Sequence, residues 1–137
     1  KLAQLVNVQP DYARASQILK LANDRDPSDA RTLATLEQMA RQSGIIIFPK
    51  RVLPPARWNN EAMALAKAEI EAHLAILETQ LAGRSYLVAD AYSLADLCYT
   101  PFLQFLGLME ITPPPAVAAW AARLLERPSA RQTAPAR

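Results

Sequence analysis

The sequence predicts an all-α fold, a bundle of about five to six helices, for three reasons. Hydrophobic residues make up 51% of the chain and recur at spacings of three and four over long alanine- and leucine-rich segments. The 11 prolines fall in clusters between those segments, and the 3 glycines stand far apart. The 137 residues are enough for one domain with one core, and no apolar run is long enough to span a bilayer. We therefore expect a helical protein without a membrane segment.

The charge balance and the scarcity of reactive side chains exclude several classes of protein. Lys and Arg number 15 against 13 Asp and Glu, which gives a net charge of +2 at pH 7, too even for a strongly steered polyanion binder. Without a Gly-rich loop the chain cannot cradle a phosphate as nucleotide-binding folds do. A single cysteine and a single histidine leave no internal disulfide and no metal-ligand spacing. We expect a cytoplasmic protein with no metal, no nucleic acid and no membrane partner.

The first two helices are predicted from proline positions and apolar spacing. Residues 11–23 follow a proline and are interpreted as a short helix. Asp26 before Pro27 is typical of an N-cap followed by proline at the first helical position, so a second helix begins there. We expect that helix to stop at Pro49, because proline cannot continue the hydrogen-bond ladder. Its buried face would carry Leu33, Leu36, Ala40 and Ile47.

The third helix follows a proline-rich loop. The Asn59-Asn60 pair supplies an N-cap for a helix over residues 61–83, which ends on a glycine. Apolar residues recur along it at threes and fours, so one face should be buried. That face carries Met63, Ala66, Ile70, His73, Leu74, Leu77 and Leu81.

The fourth helix begins at the most specific local motif of the sequence, Ser-Leu-Ala-Asp at residues 93–96. Ser93 can cap the N–H of Asp96, while the Asp96 carboxylate reaches back to the N–H of Ser93. The following residues are almost all apolar, which predicts a central helix over about 93–109 that is buried on all sides. Pro101 lies inside it, so we expect a bend there.

The fifth helix is predicted over residues 117–126, after a run of prolines. Trp120 and Leu124 stand at i and i+4 and are expected to pack together. Pro128 ends this helix, and the Arg-rich tail is expected to make one more loose turn.

No catalytic group is identified within the chain. His73 lies on the predicted core face of the third helix without a serine or cysteine beside it, so we expect a structural histidine and not a general base. Cys98 lies on an apolar helix, where burial raises a thiol pKa, so we expect it to be inert. The carboxylate pairs and the arginines are expected to be solvated surface charges.

The flanks of the Ser-Leu-Ala-Asp motif resemble a known family. Gly-Arg-Ser-Tyr-Leu at 83–87, followed by an aspartate and then by the motif at 93–96, is similar to the stretch entering the central helix of the cytosolic glutathione S-transferases. Downstream, residues 117–120 and 126–129 resemble the tryptophan-bearing helix and the Arg-Pro that close the same domain. Upstream, residues 48–55 resemble the link between the first two long helices of its bacterial members.

The resemblance covers residues 27–130 and implies a division of labour between two domains. Residues 27–137 would be the C-terminal helical domain, and residues 1–26 a linker and a short helix, a remnant of an N-terminal thioredoxin-like domain. The chain opens on Lys1 instead of Met, so we expect a segment upstream of it. In the family that other domain binds glutathione and activates its thiol, and the helical domain supplies an apolar wall for a hydrophobic electrophile.

By this resemblance the wall would come from two helices. Met39, Gln42 and Ile46 share a face of the second helix, and Tyr99 and Phe102 lie on the fourth. The resemblance also implies a homodimer, and it gives the pair Ser93 and Asp96 a folding role. Alone, the chain is expected to be inactive and not to bind glutathione.

Two other functions stay open. The same helical domain serves in translation factors and tRNA synthetase complexes as an assembly module without catalysis, and a generic helical bundle could bind a small ligand without any family relation. An apolar face with Met39 and Ile46 favours an electrophile pocket. An assembly module should instead expose a larger patch with arginine and aromatic anchors. The sequence favours the enzyme family.

Overall fold

The structure is a computed structural model that describes residues 29–88 and 91–135, with side chains from residue 34 onward. The short helix predicted over residues 11–23, the Asp26-Pro27 helix start and the side chain of Leu33 lie outside the described part. The chain divides into two compact units, Lys1–Glu37 and Gln38–Arg137. The packing described below is that of the second unit.

The described residues form helices joined by turns and short loops. In chain order the elements are α1 (Asp29–Val52), a single turn of 3-10 helix (Pro55–Arg57), α2 (Asn60–Leu81), α3 (Leu94–Leu103), α4 (Pro115–Leu125) and α5 (Pro128–Gln132). No strand occurs over the described ranges, where Val88 and Ala91 make one isolated antiparallel bridge. Helix α4 packs against both α2 and α3, and α5 packs against α4. The predicted all-α fold is confirmed.

Both ends of α2 are where local sequence rules place them. The Asn59 Oδ1 accepts a hydrogen bond from the N–H of Ala62 at 3.0 Å and so caps the helix. Gly83 follows the C-cap with a φ of 72°, a left-handed conformation that glycine adopts without strain. The predicted apolar face is buried except for His73, which is half-buried. Its buried members are Met63, Ala66, Ile70, Leu74, Leu77 and Leu81.

Helix α1 runs past Pro49 to Val52, so the prediction that it stops at Pro49 is wrong. Pro49 has no N–H for the carbonyl of Ile45, but the helix continues because the Leu53 N–H donates to the Pro49 carbonyl at 2.9 Å. The Trp58 indole N–H donates to the carbonyls of Pro49 and Leu53, both at 3.0 Å. These bonds satisfy carbonyls that the end of a helix leaves without partners.

The buried face of α1 is rotated from the predicted one. Met39 and Ile46 are 2% exposed and Ser43 is 1% exposed. Ala40 is exposed and Ile47 only half-buried, so the predicted core stripe is wrong at both positions. The two stripes lie one residue apart along the chain. Helical periodicity does not choose between neighbouring stripes when both are largely apolar.

Helix α3 is shorter and less enclosed than predicted. It spans Leu94–Leu103, and residues 104–110 form turns where the prediction continues the helix to about 109. Pro101 removes the N–H that would bond to the carbonyl of Leu97, two residues before the helix ends. Leu94 is 72% exposed and Leu97 is 46% exposed, so burial on all sides is wrong as well. The turns nevertheless contribute to the core through Leu106 and Met109.

Helix α4 lies at the centre of the core. Val117, Trp120 and Leu124 are each 0% exposed, so Trp120 and Leu124 share the buried face of the helix. Helix α4 contacts both α2 and α3, and the face of α4 that carries Trp120 packs between these two helices. The short helix α5 after it is the additional turn that the sequence predicts.

The N-terminus of α4 is capped by another helix. Pro114, at the N-cap position, makes no side-chain capping bond. Instead, the Glu78 carboxylate on α2 accepts from the N–H of Ala116 at 3.0 Å and from the N–H of Val117 at 2.9 Å. A carboxylate here satisfies free N–H groups and interacts favourably with the positive end of the helix dipole.

Candidate ligand-binding site

A buried carboxylate organises the junction of α3 with α4. Asp96 is 0% exposed, and its Oδ2 accepts from the N–H of Ser93 at 2.9 Å and from the Ser93 hydroxyl at 3.3 Å. The two residues form a capping box at the start of α3. The Oδ1 accepts from the N–H of Leu87 at 3.2 Å and from the indole N–H of Trp120 at 2.8 Å. One carboxylate thus joins the loop before α3 to the core of α4.

An aromatic series extends from that carboxylate to α2. Trp120 meets Tyr99 edge-on with ring centroids 5.6 Å apart, and Tyr99 stacks on His73 at 5.7 Å. The Tyr99 hydroxyl lies 2.9 Å from His73 Nε2 in a hydrogen bond. Burial lowers the pKa of His73, and burial, with a smaller contribution from Cys98, raises the pKa of Tyr99 to about 12. A neutral, mutually bonded pair of this kind fits a structural histidine.

Lys50 fastens the end of α1 to the turns that follow α3. Its Nζ donates to the Leu108 carbonyl at 3.0 Å and to Glu110 Oε1 at 2.6 Å. The Lys50 side chain is only 10% exposed, whereas that of Glu110 is 74% exposed. The hydrogen bond from Lys50 lowers the pKa of the Glu110 carboxyl. This contact positions the two segments between which the candidate site lies.

A groove of about 390 Å³ lies between α1 and residues 101–105. Pockets of this size accommodate small organic molecules. The α1 side is apolar except for Arg51 and Ser43, and the Ser43 hydroxyl is buried with no hydrogen-bond partner among the described residues. We call this space the aromatic groove, and its principal lining residues are Ala40, Ser43, Ile47, Phe48, Phe102 and Phe105.

A second space of about 660 Å³ lies beside the groove. The Arg51 guanidinium lies over the Phe105 ring, 5.8 Å from its centroid, and both residues line both spaces. Arg51 and Phe105 therefore border both the groove and this second space. We call the second space the arginine cavity, and its principal lining residues are Arg51, Gln104, Phe105, Leu108, Leu125 and Arg131.

The structure distributes the predicted wall residues between the core and the groove. Met39 and Ile46 lie in the core, and Tyr99 is 5% exposed and bonded to His73. Gln42 is half-buried on α1. Of the predicted set, Phe102 is the one found among the described residues that line the aromatic groove. Phe102 lines the groove, whereas Met39, Gln42, Ile46 and Tyr99 are not among its described lining residues.

Arg51 and Phe105 were not identified from the sequence as members of a site. The sequence predicts that Arg51 is a solvated surface charge and that Phe105 lies on a continuous buried helix. The structure brings the two residues into contact, because α1 continues past Pro49 and α3 ends early. A signal was available in the stripe Ala40, Gly44, Ile47 and Arg51, whose spacings of four, three and four keep one helical face if α1 continues.

The remaining reactive groups do not form a catalytic cluster in the described part of the chain. Cys98 is half-buried, and burial raises the pKa of its thiol, which leaves it protonated at pH 7. Within residues 29–88 and 91–135 no three His, Cys, Asp or Glu side chains come together as metal ligands. Among those same residues, no helix combines the length and the hydropathy needed to cross a membrane.

Comparisons with known proteins agree with the helical architecture. Residues 60–123 match a family model described as "Glutathione S-transferase, C-terminal domain". Glutathione S-transferase PARB from Nicotiana tabacum is 33% identical to this chain over 75 residues. The matched region covers 52% of this chain and 35% of the tobacco protein, so it spans about a third of that relative's length. No solved structure is significantly similar to the chain.

Proposed function

Because residues 60–123 match a family model of the glutathione S-transferase C-terminal domain, we propose that this chain supplies the electrophile-binding wall of a glutathione-dependent transferase. In this proposal a thioredoxin-like domain holds glutathione, and the glutathione thiolate attacks a hydrophobic electrophile that lies against the helical domain. The product is a thioether conjugate or the result of a related thiol-dependent reaction.

The aromatic groove is the observation that carries the proposal. It places the rings of Phe102 and Phe105 opposite the apolar side of α1 in a volume of about 390 Å³. Flat aromatic walls bury a planar apolar molecule and contact it face-on or edge-on. Phe102 is the direct contact in this proposal. Met39 and Ile46 support α1 from the core side, and Gln42 and Tyr99 stay predicted contacts.

A homodimer is part of the same proposal. Leu65 is 64% exposed and Ile76 is 58% exposed. Ile76 follows Leu65 by eleven residues, which is about three turns of α2, so both side chains lie on one face of the helix. Large apolar side chains at such exposure support contact with a second copy of the chain. The cytoplasmic location and the bacterial type stay predictions.

The assembly-module alternative has less support. Its expected arginine and aromatic anchors are engaged within the chain: Arg127 lies 3.6 Å from the centroid of the Tyr92 ring, and Arg123 lies 6.0 Å from that of Tyr86. Arg123 also donates through Nη2 to the carbonyl of Ser85 at 2.9 Å. The tobacco protein that is similar to this chain is named a glutathione S-transferase, which also favours the enzyme hypothesis.

Binding of a neutral aromatic dye tests the proposal. N-phenyl-1-naphthylamine becomes fluorescent in apolar sites, and we expect the chain to bind it in the aromatic groove. Gly44→Leu should block the groove, since a Cβ at Gly44 meets nothing within 4 Å and the added side chain can occupy the space. Phe105→Ala should raise the Kd roughly tenfold through lost apolar contact, which is about 1.4 kcal/mol.

Leu94→Ala is the matched control, because Leu94 is exposed on α3 and does not line the groove. Its dye affinity should equal that of the unsubstituted chain, and melting curves should show that all three variants are folded. Dye binding that is absent, or equal in all variants, would rule out the groove as the electrophile wall.

A further inference from the structure

We propose that Lys50 and Glu110 form a latch that sets the width of the aromatic groove, by holding the turns after α3 against the end of α1. Both are positioning residues in this inference, because neither is among the described residues that line the groove. The inference rests on the proposed function and adds to it a means of control over the same site. Three observations support it: the backbone of Glu110, the burial of Lys50 and the bonds that join the latch to the groove.

The backbone of Glu110 has a conformation that a glutamate rarely adopts. Its φ is 57°, and among the described residues it is the one non-glycine residue with a positive φ. The N–H of Ile111 donates to the Leu106 carbonyl at 3.0 Å, and that of Glu110 to the Gly107 carbonyl at 3.1 Å. These two bonds close a helical turn on a left-handed residue, a position where glycine is usual. A residue with a Cβ is strained there, so other contacts must hold it in place.

The contact with Lys50 is what a glutamate offers at this position and a glycine does not. The Lys50 Nζ donates to Glu110 Oε1 at 2.6 Å and to the Leu108 carbonyl at 3.0 Å. The Lys50 side chain is only 10% exposed, and an ammonium group with so little access to water requires such acceptors. Both of these acceptors belong to residues 108–110, so separating this turn from α1 would leave the ammonium without them.

The latch is joined to the groove on both sides. On α1, Lys50 directly precedes Arg51, which lines the groove. On the turns, the N–H of Met109 donates to the Phe105 carbonyl at 2.9 Å, so the segment that Lys50 holds is bonded to a residue of the opposite wall. A movement of residues 108–110 away from α1 would therefore carry Phe105 with it and widen the groove. A wider groove buries less of a planar ligand and binds it more weakly.

Affinity for the neutral dye N-phenyl-1-naphthylamine tests the inference on the chain as it is. Lys50→Met keeps an unbranched side chain and removes the charge, and we expect it to raise the Kd by about threefold to tenfold. Lys50→Arg should retain most of the affinity, since a guanidinium also donates to a carboxylate. Because the two residues act through one contact, Glu110→Ala should add little to Lys50→Met, and the double variant should match Lys50→Met alone.

Two substitutions of Glu110 separate the ion pair from the backbone conformation. Glu110→Ala and Glu110→Gly both remove the carboxylate, but glycine adopts a φ of 57° without strain. We expect both variants to raise the Kd by about the same factor, with the higher melting temperature in Glu110→Gly. If Glu110→Gly binds the dye as the unsubstituted chain does while Glu110→Ala binds it more weakly, the backbone and not the ion pair positions the turn, and the inference is wrong.

Glu71→Ala is the matched control for Glu110→Ala. Glu71 is also an exposed glutamate in an ion pair, with Lys67 at 3.9 Å, and it does not line the groove, so its dye affinity should equal that of the unsubstituted chain. Hydrogen exchange gives a readout that does not depend on the dye. The amides of Met109 and Ile111 should exchange faster in Lys50→Met than in the control, because their bonds lie within the turns that the latch holds.

The outcomes separate this inference from the proposed function. If Lys50→Met leaves the Kd unchanged while Gly44→Leu still blocks the dye, the latch does not set the groove, and the inference is wrong while the proposed function stands. Faster exchange of the two amides would not alter that conclusion. If Gly44→Leu leaves the dye bound as well, both proposals fail. Melting curves identify any variant that does not fold, and the two Glu110 variants decide the question if Lys50→Met is one.

Discussion

At the scale of single residues, Asp96 concentrates the polar interactions of the core. Its carboxylate is closed to solvent and receives donors from Ser93, Leu87 and Trp120. A buried carboxylate is stable only when such donors surround it. The donors depend on the carboxylate in turn, because without it they would be buried and unpaired. The motif that begins α3 therefore also determines how Trp120 is held.

Asp96→Ala should destabilise the protein strongly. The substitution leaves the Trp120 indole N–H and the backbone N–H of Leu87 without an acceptor, so we expect a loss of about 3–5 kcal/mol in the free energy of unfolding. Urea unfolding followed by tryptophan fluorescence measures it. Glu126→Ala, at an exposed position, is the control and should change stability by less than about 0.5 kcal/mol. Equal stability of the two variants would contradict the role of Asp96.

His73 should make stability depend on pH. Burial holds the pKa of folded His73 below the ordinary value of 6.5, so the unfolded chain binds the proton more readily. The contribution of His73 to stability is therefore complete above pH 6.5 and is lost as the pH falls below that value. His73→Gln should make the melting temperature depend less on pH between about pH 5 and 6.5 than it does in the unsubstituted chain. An unchanged slope in the variant would count against this.

At the scale of helices, some helix ends can be predicted from the local sequence and others cannot. Both ends of α2 follow from Asn59 and Gly83, because an N-cap and a left-handed glycine act within a few residues. The end of α1 and the start of α4 depend instead on Trp58 and Glu78, which act from outside the helix. No local rule identifies such partners, so the sequence alone predicts that α1 ends at Pro49.

Two glycines in different backbone conformations should respond oppositely to alanine. Gly44 lies inside α1 with open space around its Cβ position, so Gly44→Ala should stabilise the protein by about 0.5–1 kcal/mol. Gly83 has a φ of 72°, so Gly83→Ala should destabilise it by about 1–2 kcal/mol. Thermal unfolding of both variants measures the difference. A shift of the same sign in both would refute the assigned backbone conformations.

Glu78→Ala should weaken the start of α4 without touching its core face. It removes the acceptor for two backbone N–H groups and the favourable charge at the helix N-terminus, with a cost of about 1–2 kcal/mol. Chemical denaturation measures this cost. Glu71→Ala is the control on the same helix, because Glu71 is exposed and its ion pair, with Lys67 at 3.9 Å, is a weak surface contact. Equal effects from both substitutions would show that Glu78 does not cap α4.

At the scale of the whole molecule, the fold was easier to predict than the site. The all-α class follows from periodicity and proline placement. Phe102 lines the aromatic groove, although the sequence predicts that the whole helix is buried and names Phe102 as a wall residue only by the family resemblance. The contact between Arg51 and Phe105 is not predicted from the sequence, because these residues become neighbours only when α1 packs against the turns that follow α3. Contacts between distant segments leave no periodic trace in the sequence.

Calorimetry with glutathione tests the division of labour between the two domains. We expect no measurable heat when the chain alone is titrated with glutathione at roughly millimolar concentration, because glutathione has no aromatic body for the groove and its affinity for exposed arginines is weak. N-phenyl-1-naphthylamine serves as the positive control. A micromolar Kd for glutathione would place its binding site on this chain.

The cap that Glu78 provides for α4 also bears on how the protein opens. Since the N–H groups of Ala116 and Val117 bond to a side chain of α2, separation of α2 from α4 breaks both bonds at once. Their exchange with deuterated water should therefore require the same opening event as the buried amides of α2, although they lie in the first turn of a helix, where exchange is ordinarily fast. Two helices that are far apart in the sequence would unfold as one cooperative unit.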